Sequence, residues 1–114
     1  MASISVLLPV YNAEPYLKET LDSLLAQTRP ADQIVIINDG STDQSLEVLQ
    51  QYQRKEARIQ LVCQDNSGVS AARNRGLVLC EGDFIALMDA DDICKPSRFA
   101  TQLEAMQKNH LDLC

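Results

Sequence analysis

The sequence is poor in the groups from which thiolate-metal and triad chemistry are built. It has one histidine, His110, and its four cysteines, Cys63, Cys80, Cys94 and Cys114, include no C-x-x-C pair. That argues against a zinc site, and His110 reads as an ordinary surface residue. There is no G-x-S-x-G elbow, so a serine or cysteine triad is poorly supplied. No G-x-G-x-x-G follows the first apolar segment and no G-x-x-x-x-G-K-[ST] occurs, which removes the main support for dinucleotide and P-loop readings. No basic stripe is interleaved with aromatics, and a net charge of -6 argues against a nucleic-acid partner. No apolar run is long enough to span a bilayer. Met1-Ala2-Ser3 carries no basic n-region and Pro9 interrupts the first apolar run, so no signal peptide is expected. Reduced thiols in a cytoplasmic chain are the simpler inference, with a disulfide among two of the four cysteines as the open alternative. Membrane contact, at the inner face, is expected only through regions outside these residues.

What is present suits one compact soluble domain over residues 1–114. The chain is 46% hydrophobic and 23% charged, without repeats, linkers or low-complexity segments. Ile4-Ser5-Val6-Leu7-Leu8-Pro9-Val10 reads as a first strand, with Pro9 expected to mark its end. A helix follows, with Pro15 in its first turn and Leu17, Leu21, Leu24 and Leu25 on one face, stopped by Thr28-Arg29-Pro30. Ile34-Val35-Ile36-Ile37 is a second buried strand. Ser41 and Gln44 are spaced as a capping box for the next helix, which carries Leu46, Leu49 and Tyr52 or Gln53. Ile59 to Cys63 gives a third strand, and Ser70 to Leu77 a helix whose Ala71 and Ala72 permit close approach to a sheet. Phe84 to Met88 gives a fourth strand, Pro96 to Lys108 a final helix, and Leu111 to Cys114 the start of another strand. This alternation predicts an α/β, Rossmann-like, doubly wound, mostly parallel sheet with strand order 3-2-1-4.

The stretch Met88-Asp89-Ala90-Asp91-Asp92 turns an apolar strand abruptly into an acidic tip. Neighbouring carboxylates repel unless a cation neutralises them, and a hard divalent ion with oxygen ligands does so economically. In open α/β sheets ligands gather beyond the carboxyl ends of the strands, where these groups emerge. The expectation is a metal and diphosphate site. The alternative is that Asp91 or Asp92 simply favours the amino end of the next helix. With order 3-2-1-4, Pro9 to Asn12 and Asp89 to Asp92 flank one crevice, and Asp39 arrives beside them. Tyr11 offers a ring for stacking and Asp39 an acceptor pair for the edge of a base. Tyr11 as a core or rim aromatic and Asp39-Gly40 as a turn are the plainer readings. Arg73 reaches a phosphate or is a solvated helix arginine.

Four segments in this order are distinctive together. They are Val6-Leu7-Leu8-Pro9-Val10-Tyr11-Asn12, Asp39-Gly40-Ser41-Thr42-Asp43, Asn66-Ser67-Gly68-Val69-Ser70-Ala71-Ala72-Arg73-Asn74-Arg75-Gly76 and Met88-Asp89-Ala90-Asp91-Asp92. In them the chain resembles the amino-terminal, nucleotide-sugar-binding half of the family 2 glycosyltransferases, enzymes of the GT-A fold, with the acidic tip as the D-x-D motif. The resemblance implies a nucleotide-sugar donor, usually a uridine diphosphate sugar, and inverting transfer to a saccharide or lipid-linked acceptor. By the same analogy Tyr11 and Asp39 hold the base, with Pro9, Val10, Asn12, Gly40 and Ala90 around the donor. Arg73 lies near the nucleotide, Asp89 faces the ribose or a metal-bound water, and Asp91, with Asp89, serves Mn2+ or Mg2+. The ion assists departure of the diphosphate.

Asn38 departs from the family, which commonly has aspartate there. In the family the acceptor-binding half and the catalytic base lie downstream, so no catalytic base is assigned within residues 1–114, and these residues alone are expected to bind nucleotide weakly and transfer nothing. Two other classes compete. A D-x-D phosphoryl-transfer enzyme of the haloacid dehalogenase type is disfavoured because its pair follows the first strand, and Ile93 stands where it has a hydroxyl residue. A non-catalytic nucleotide-binding or interaction module is the other.

Overall fold

A computed structural model of the 114-residue chain describes residues 3–27, 30–89 and 100. Its elements are β1 (Ile4–Val10), α1 (Glu14–Leu25), β2 (Gln33–Asp39), α2 (Ser45–Lys55), β3 (Ile59–Gln64), α3 (Val69–Leu79) and β4 (Phe84–Leu87). The sheet order is β3-β2-β1-β4 and all three pairings are parallel. The expected final helix from Pro96 and the strand from Leu111 lie outside the described residues.

Why the helices lie where they do follows from crossover handedness. The steps β1 to β2 and β2 to β3 move the same way along the sheet, so right-handed connections place α1 and α2 on one face. The return from β3 to β4 runs in the opposite direction and places α3 on the other. Strand alternation then divides the core. Ile4, Val6, Leu8 and Val10 join Leu17, Leu21, Leu24 and Leu49 on the first face. Leu7, Val35, Ile37 and Ala72 form a thinner layer on the second. Every residue of β1 is buried, as expected for a central strand covered on both faces.

Pro9 does not end β1, contrary to expectation: it pairs with Ile37, and the strand continues to Val10 opposite Asn38. Leu7 accepts a hydrogen bond from the Met88 N–H, so its polar groups face β4, and Pro9, two residues on, faces the same side. The β1–β4 ladder has reached its last pair at Leu7 and Leu87. A missing donor at Pro9 therefore interrupts no pairing with β2.

The capping box expected for α2 is also absent. Helix α2 starts at Ser45, and its N-cap residue Gln44 makes no side-chain capping bond. Asp43 Oδ1 instead accepts from the Ser45 N–H at 2.9 Å. The inner face of α2 is Ser45, Val48 and Leu49, with Leu46 only half-buried. Tyr52 ties α2 to α1, its hydroxyl donating to Asp22 Oδ1 at 2.6 Å. Burial first, and the Asp22 carboxylate second, push this phenol up to about 12.

Helix α3 approaches the sheet closely through Gly76 as well as Ala72. A Cβ at Gly76 would overlap Leu7 Cδ1 and stand 3.3 Å from Ile37 Cγ1. Gly76→Val is therefore expected to cost about 1–3 kcal/mol through overpacking. Leu7→Ala, which removes the obstructing methyls, should cost about 2–5 kcal/mol alone yet relieve part of the Gly76→Val penalty when combined. Urea unfolding of the two single variants and the double variant checks this, and strictly additive losses would contradict the close contact.

Candidate functional site

In a parallel sheet the carboxyl ends of all strands open onto one edge, and here four loops leave that edge together. The loop after β1 carries Tyr11 and Asn12, that after β2 carries Gly40 to Gln44, and that after β3 carries Asp65 to Gly68. The loop after β4 begins with Met88 and Asp89. A cavity of about 320 Å³ opens among the first three. Pro9, Val10 and Tyr11 form one side, Asp39 its floor, and Asn66, Gly68, Val69 and Ala72 the side nearest α3. Tyr11 stands at the rim with 53% of its surface exposed, so its ring face is available to a ligand.

Asp39 is only 3% exposed, a cost that an ionised carboxylate meets by accepting several hydrogen bonds. Oδ1 accepts from Gln64 Nε2 at 2.8 Å and from the Ser67 N–H at 2.8 Å. Oδ2 accepts from the Gly68 N–H at 3.0 Å. Gly68 is the N-cap residue of α3, so the carboxylate lies where the partial positive charge of that helix is greatest. The Gln64 hydrogen bond, opposed by burial and reinforced by the two amides, holds this carboxyl below its ordinary range. Gly40 adopts a φ of 70°, and a Cβ there would lie 2.6 Å from the Asn66 nitrogen. Asp39-Gly40 thus forms a turn against which the β3–α3 loop packs, and Asn66 Nδ2 donates to the Asp39 carbonyl at 3.1 Å.

Asn12 has a role that its position in the sequence did not disclose. It is the residue other than glycine with positive φ, 47°, among those described. Its Oδ1 accepts from the Thr42 N–H at 2.7 Å and the Asp43 N–H at 3.3 Å, while its own N–H donates to Ser41 Oγ. The tie continues into the helices. The Ala13 N–H donates to Ser45 Oγ, the Glu14 N–H to Asp43 Oδ2, and the Gln44 N–H to Glu14 Oε1. The amino ends of α1 and α2 thus cap one another, through side chains some thirty positions apart. Only the repeated Ser, Thr and Asp of the β2–α2 loop hinted at this, since such residues favour local capping.

Arg73 and Asp89, singled out separately in the sequence, form an ion pair with Nη2 to Oδ1 at 2.9 Å. The Asp89 side chain is 58% exposed, so the pair is solvated and weak as a stabilising contact. It orients Asp89 towards α3. Arg73 Nε is buried without a hydrogen-bond partner, as is Asn38 Oδ1. Ala90 and Asp91 lie outside the described residues, and among the described residues no group of three or more His, Cys, Asp or Glu could hold a metal. The carboxylate of Asp89 is a hard oxygen donor at the correct edge, the kind that Mg2+ and Mn2+ prefer.

A larger hollow of about 450 Å³ lies at the opposite, amino edge, lined by groups such as Ser5, Gln33, Arg58 and Glu81. Its polar groups serve the fold: Ser5 Oγ donates to Gln33 Oε1, and Arg58 pairs with Glu56. Size alone does not make it the site.

The sequence profile described as glycosyl transferase family 2 matches residues 5–114. The chain belongs to that family. It is 38% identical over 110 residues to an uncharacterized glycosyltransferase, EpsJ, of Bacillus subtilis, covering 96% of this chain and 32% of the relative. It is 39% identical over 106 residues to a putative teichuronic acid biosynthesis glycosyltransferase, TuaG, of the same organism, covering 92% of this chain and 42% of the relative. The fold superimposes on S. aureus TarS 1-349 in complex with UDP-GlcNAc with a TM-score of 0.85 at 31% identity. That match covers 95% of this chain and 32% of TarS 1-349. Mannosyltransferase PcManGT of Pyrobaculum calidifontis, in complex with GDP-Man and Mn2+, gives 0.83 at 25% identity over 92% of this chain and 32% of the mannosyltransferase. The parallel order β3-β2-β1-β4 is thus the α/β arrangement of GT-A glycosyltransferases, and the chain spans less than half the length of these relatives. No helix among the described residues is long and apolar enough to cross a membrane. Cys63 and Cys80 are free thiols.

Two outcomes follow for this family 2 domain. Asn12→Ala removes the acceptor for two loop amides and strains a positive φ, and should cost about 1–2 kcal/mol. Asn12→Gly should cost less, and equal thermal shifts for both would remove the backbone part of the argument. Asp39 titrates in the folded chain below its ordinary 3.8. As pH falls the unfolded chain takes up the proton first, so the stability from this group is full above the ordinary range and lost as pH drops through the folded value. Asp39→Asn should therefore show a shallower acid loss of stability than the parent as pH falls below the ordinary carboxylate range, measured by urea unfolding.

Proposed function

We propose that this chain is the donor-binding part of a glycosyltransferase that transfers a sugar from a nucleotide diphosphate sugar to an acceptor hydroxyl. The observation that carries the reading is the cavity at the carboxyl edge. It combines an exposed aromatic ring, Tyr11, with an acceptor-only carboxylate, Asp39, across a space of about 320 Å³. Stacking on the ring and an N–H donated to the carboxylate are the two contacts that a nucleobase needs. The UDP-GlcNAc complex of TarS and the GDP-Man complex of PcManGT support a nucleotide-sugar donor. We take it to be a UDP-sugar, and the transfer to be inverting.

In this reading Pro9, Val10, Asn12 and Gly40 shape the base and ribose end, Asn12 by fixing the loop that presents Tyr11. The diphosphate runs from there towards Asp89 and the acidic tip. Arg73 neutralises part of the negative charge at that end, and its pairing with Asp89 keeps the carboxylate aimed at the ribose or at a water on the ion. Asp91 is the principal metal ligand, with Ala90 giving the donor room between the two carboxylates. A bound Mn2+ or Mg2+ would supply Lewis-acid stabilisation of the charge that grows on the departing diphosphate. The Mn2+ of the PcManGT complex supports a divalent ion in this role. The base that takes the proton of the acceptor hydroxyl comes from outside residues 1–114, as does the acceptor-binding half, so residues 1–114 alone bind donor weakly and transfer nothing. The acceptor is a saccharide or a lipid-linked sugar, and the protein works in the cytoplasm.

Calorimetric titration with uridine diphosphate tests the reading. Binding is expected only weakly without metal and about tenfold or more tighter with Mn2+, an effect of the ion's charge on the diphosphate. Asp91→Asn should remove most of that metal enhancement, and Tyr11→Ala should weaken binding about fivefold or more with and without metal. No binding in either condition would overturn the assignment. Phosphatase turnover of an aryl phosphate would favour a D-x-D phosphoryl-transfer enzyme instead.

A further inference from the structure

Gln64 ends β3 directly opposite Asp39 in the β2–β3 register. It donates from Nε2 to Asp39 Oδ1, and its Oε1 accepts from Arg75 Nη1 at 3.4 Å. An arginine can only donate, so this contact turns the amide oxygen outward and the amide nitrogen towards Asp39. The consequence for Asp39 follows from counting acceptor positions. A carboxylate offers about four, two on each oxygen. Gln64 and Ser67 occupy both on Oδ1, and Gly68 occupies one on Oδ2. A single acceptor position is left in a group that is 3% exposed and forms the floor of the cavity beside Tyr11.

We infer that Gln64 is a positioning residue for base selection. By filling Oδ1 and clamping the carboxylate plane, it leaves Asp39 one acceptor position for a ring N–H and none for a base that turns a lone pair towards it. The inference rests on reading the cavity as the nucleotide site, and it adds the reason that site discriminates. A uracil edge presents an N–H between two carbonyls and satisfies the remaining position. A cytosine edge presents a ring nitrogen lone pair to a fixed anionic acceptor, which repels it, and the carboxylate cannot swing to meet the exocyclic amine while Gln64 holds it. Gln64 touches no ligand in this scheme. Its effect passes through Asp39.

The test compares binding of UDP and CDP, both with Mn2+, to the parent protein and to Gln64→Leu, which keeps bulk and loses the donor. The parent should favour UDP, and Gln64→Leu should lower the UDP-to-CDP affinity ratio about fivefold, the effect of one lost hydrogen bond. In an Asp39→Asn background the same substitution should leave the ratio unchanged, because the group it acts through has gone. Thermal unfolding of each variant verifies that it is folded. A Gln64→Leu protein that weakens both nucleotides equally, or neither, overturns the inference while the nucleotide site stands. So does a parent protein that binds UDP and CDP alike. A parent that binds neither nucleotide overturns both this inference and the functional reading beneath it.

Discussion

A buried carboxylate held by three neutral donors organises the carboxyl edge of this sheet. Asp39 ends β2, yet its partners come from the end of β3 and from the turn that starts α3. Were the group not ionised, its hydrogen bonds to two backbone amides would weaken and the β3–α3 loop would lose its anchor. Were it not anchored, the cavity beside Tyr11 would lose its floor. Stability of the loop and readiness to accept one further N–H are therefore properties of one side chain. Burial resists the charge while the Gln64 side chain and the Ser67 and Gly68 amides sustain it, and together they hold the carboxyl below its ordinary range.

The second organising feature is reciprocal. Two βα loops that begin at neighbouring strands each supply the caps that the other's helix lacks. Asn12 reaches across to the Thr42 and Asp43 amides, and Asp43 and Ser45 reach back to Glu14 and Ala13. An isolated helix end leaves several N–H groups without partners, and here Asp43 serves the Ser45 N–H of its own helix while the remaining bonds cross between the loops. Because β1 and β2 pair in register, the two ends are adjacent, and shared caps make them one rigid wall. Tyr11 projects from that wall. Across the cavity, Arg73 performs a comparable task for Asp89, joining α3 to the start of the acidic tip.

Much of this is legible in the residues alone. The apolar runs Ile4 to Leu8 and Ile34 to Ile37, the leucine spacing of α1 and the strand–helix alternation point to a parallel doubly wound sheet, for which 3-2-1-4 is one of the few orders that crossover handedness allows. The four motif segments identified the family. Where the structure differs from the local pattern, a local rule meets a tertiary circumstance. Pro9 was expected to end its strand, but its missing donor faces the side where the β4 ladder has already finished. The Ser41–Gln44 box was plausible by spacing, but Ser41 is engaged by Asn12 and the cap comes from Asp43.

The sequence by itself determined the strands and helices of the described residues, the parallel sheet they build and the edge at which the chemistry-bearing residues emerge. Those follow from side-chain period, turn residues and chain handedness, which are properties of neighbours along the chain. Only the tertiary structure decided that Asp39 belongs to the start of α3, that Asn12 is a brace between two helix ends, and that Gln64 and Arg73 orient carboxylates on other elements. Each of these is a hydrogen bond between groups far apart in sequence. Its existence depends on strand register and on the angle at which a side chain leaves a loop, and no local pattern encodes either.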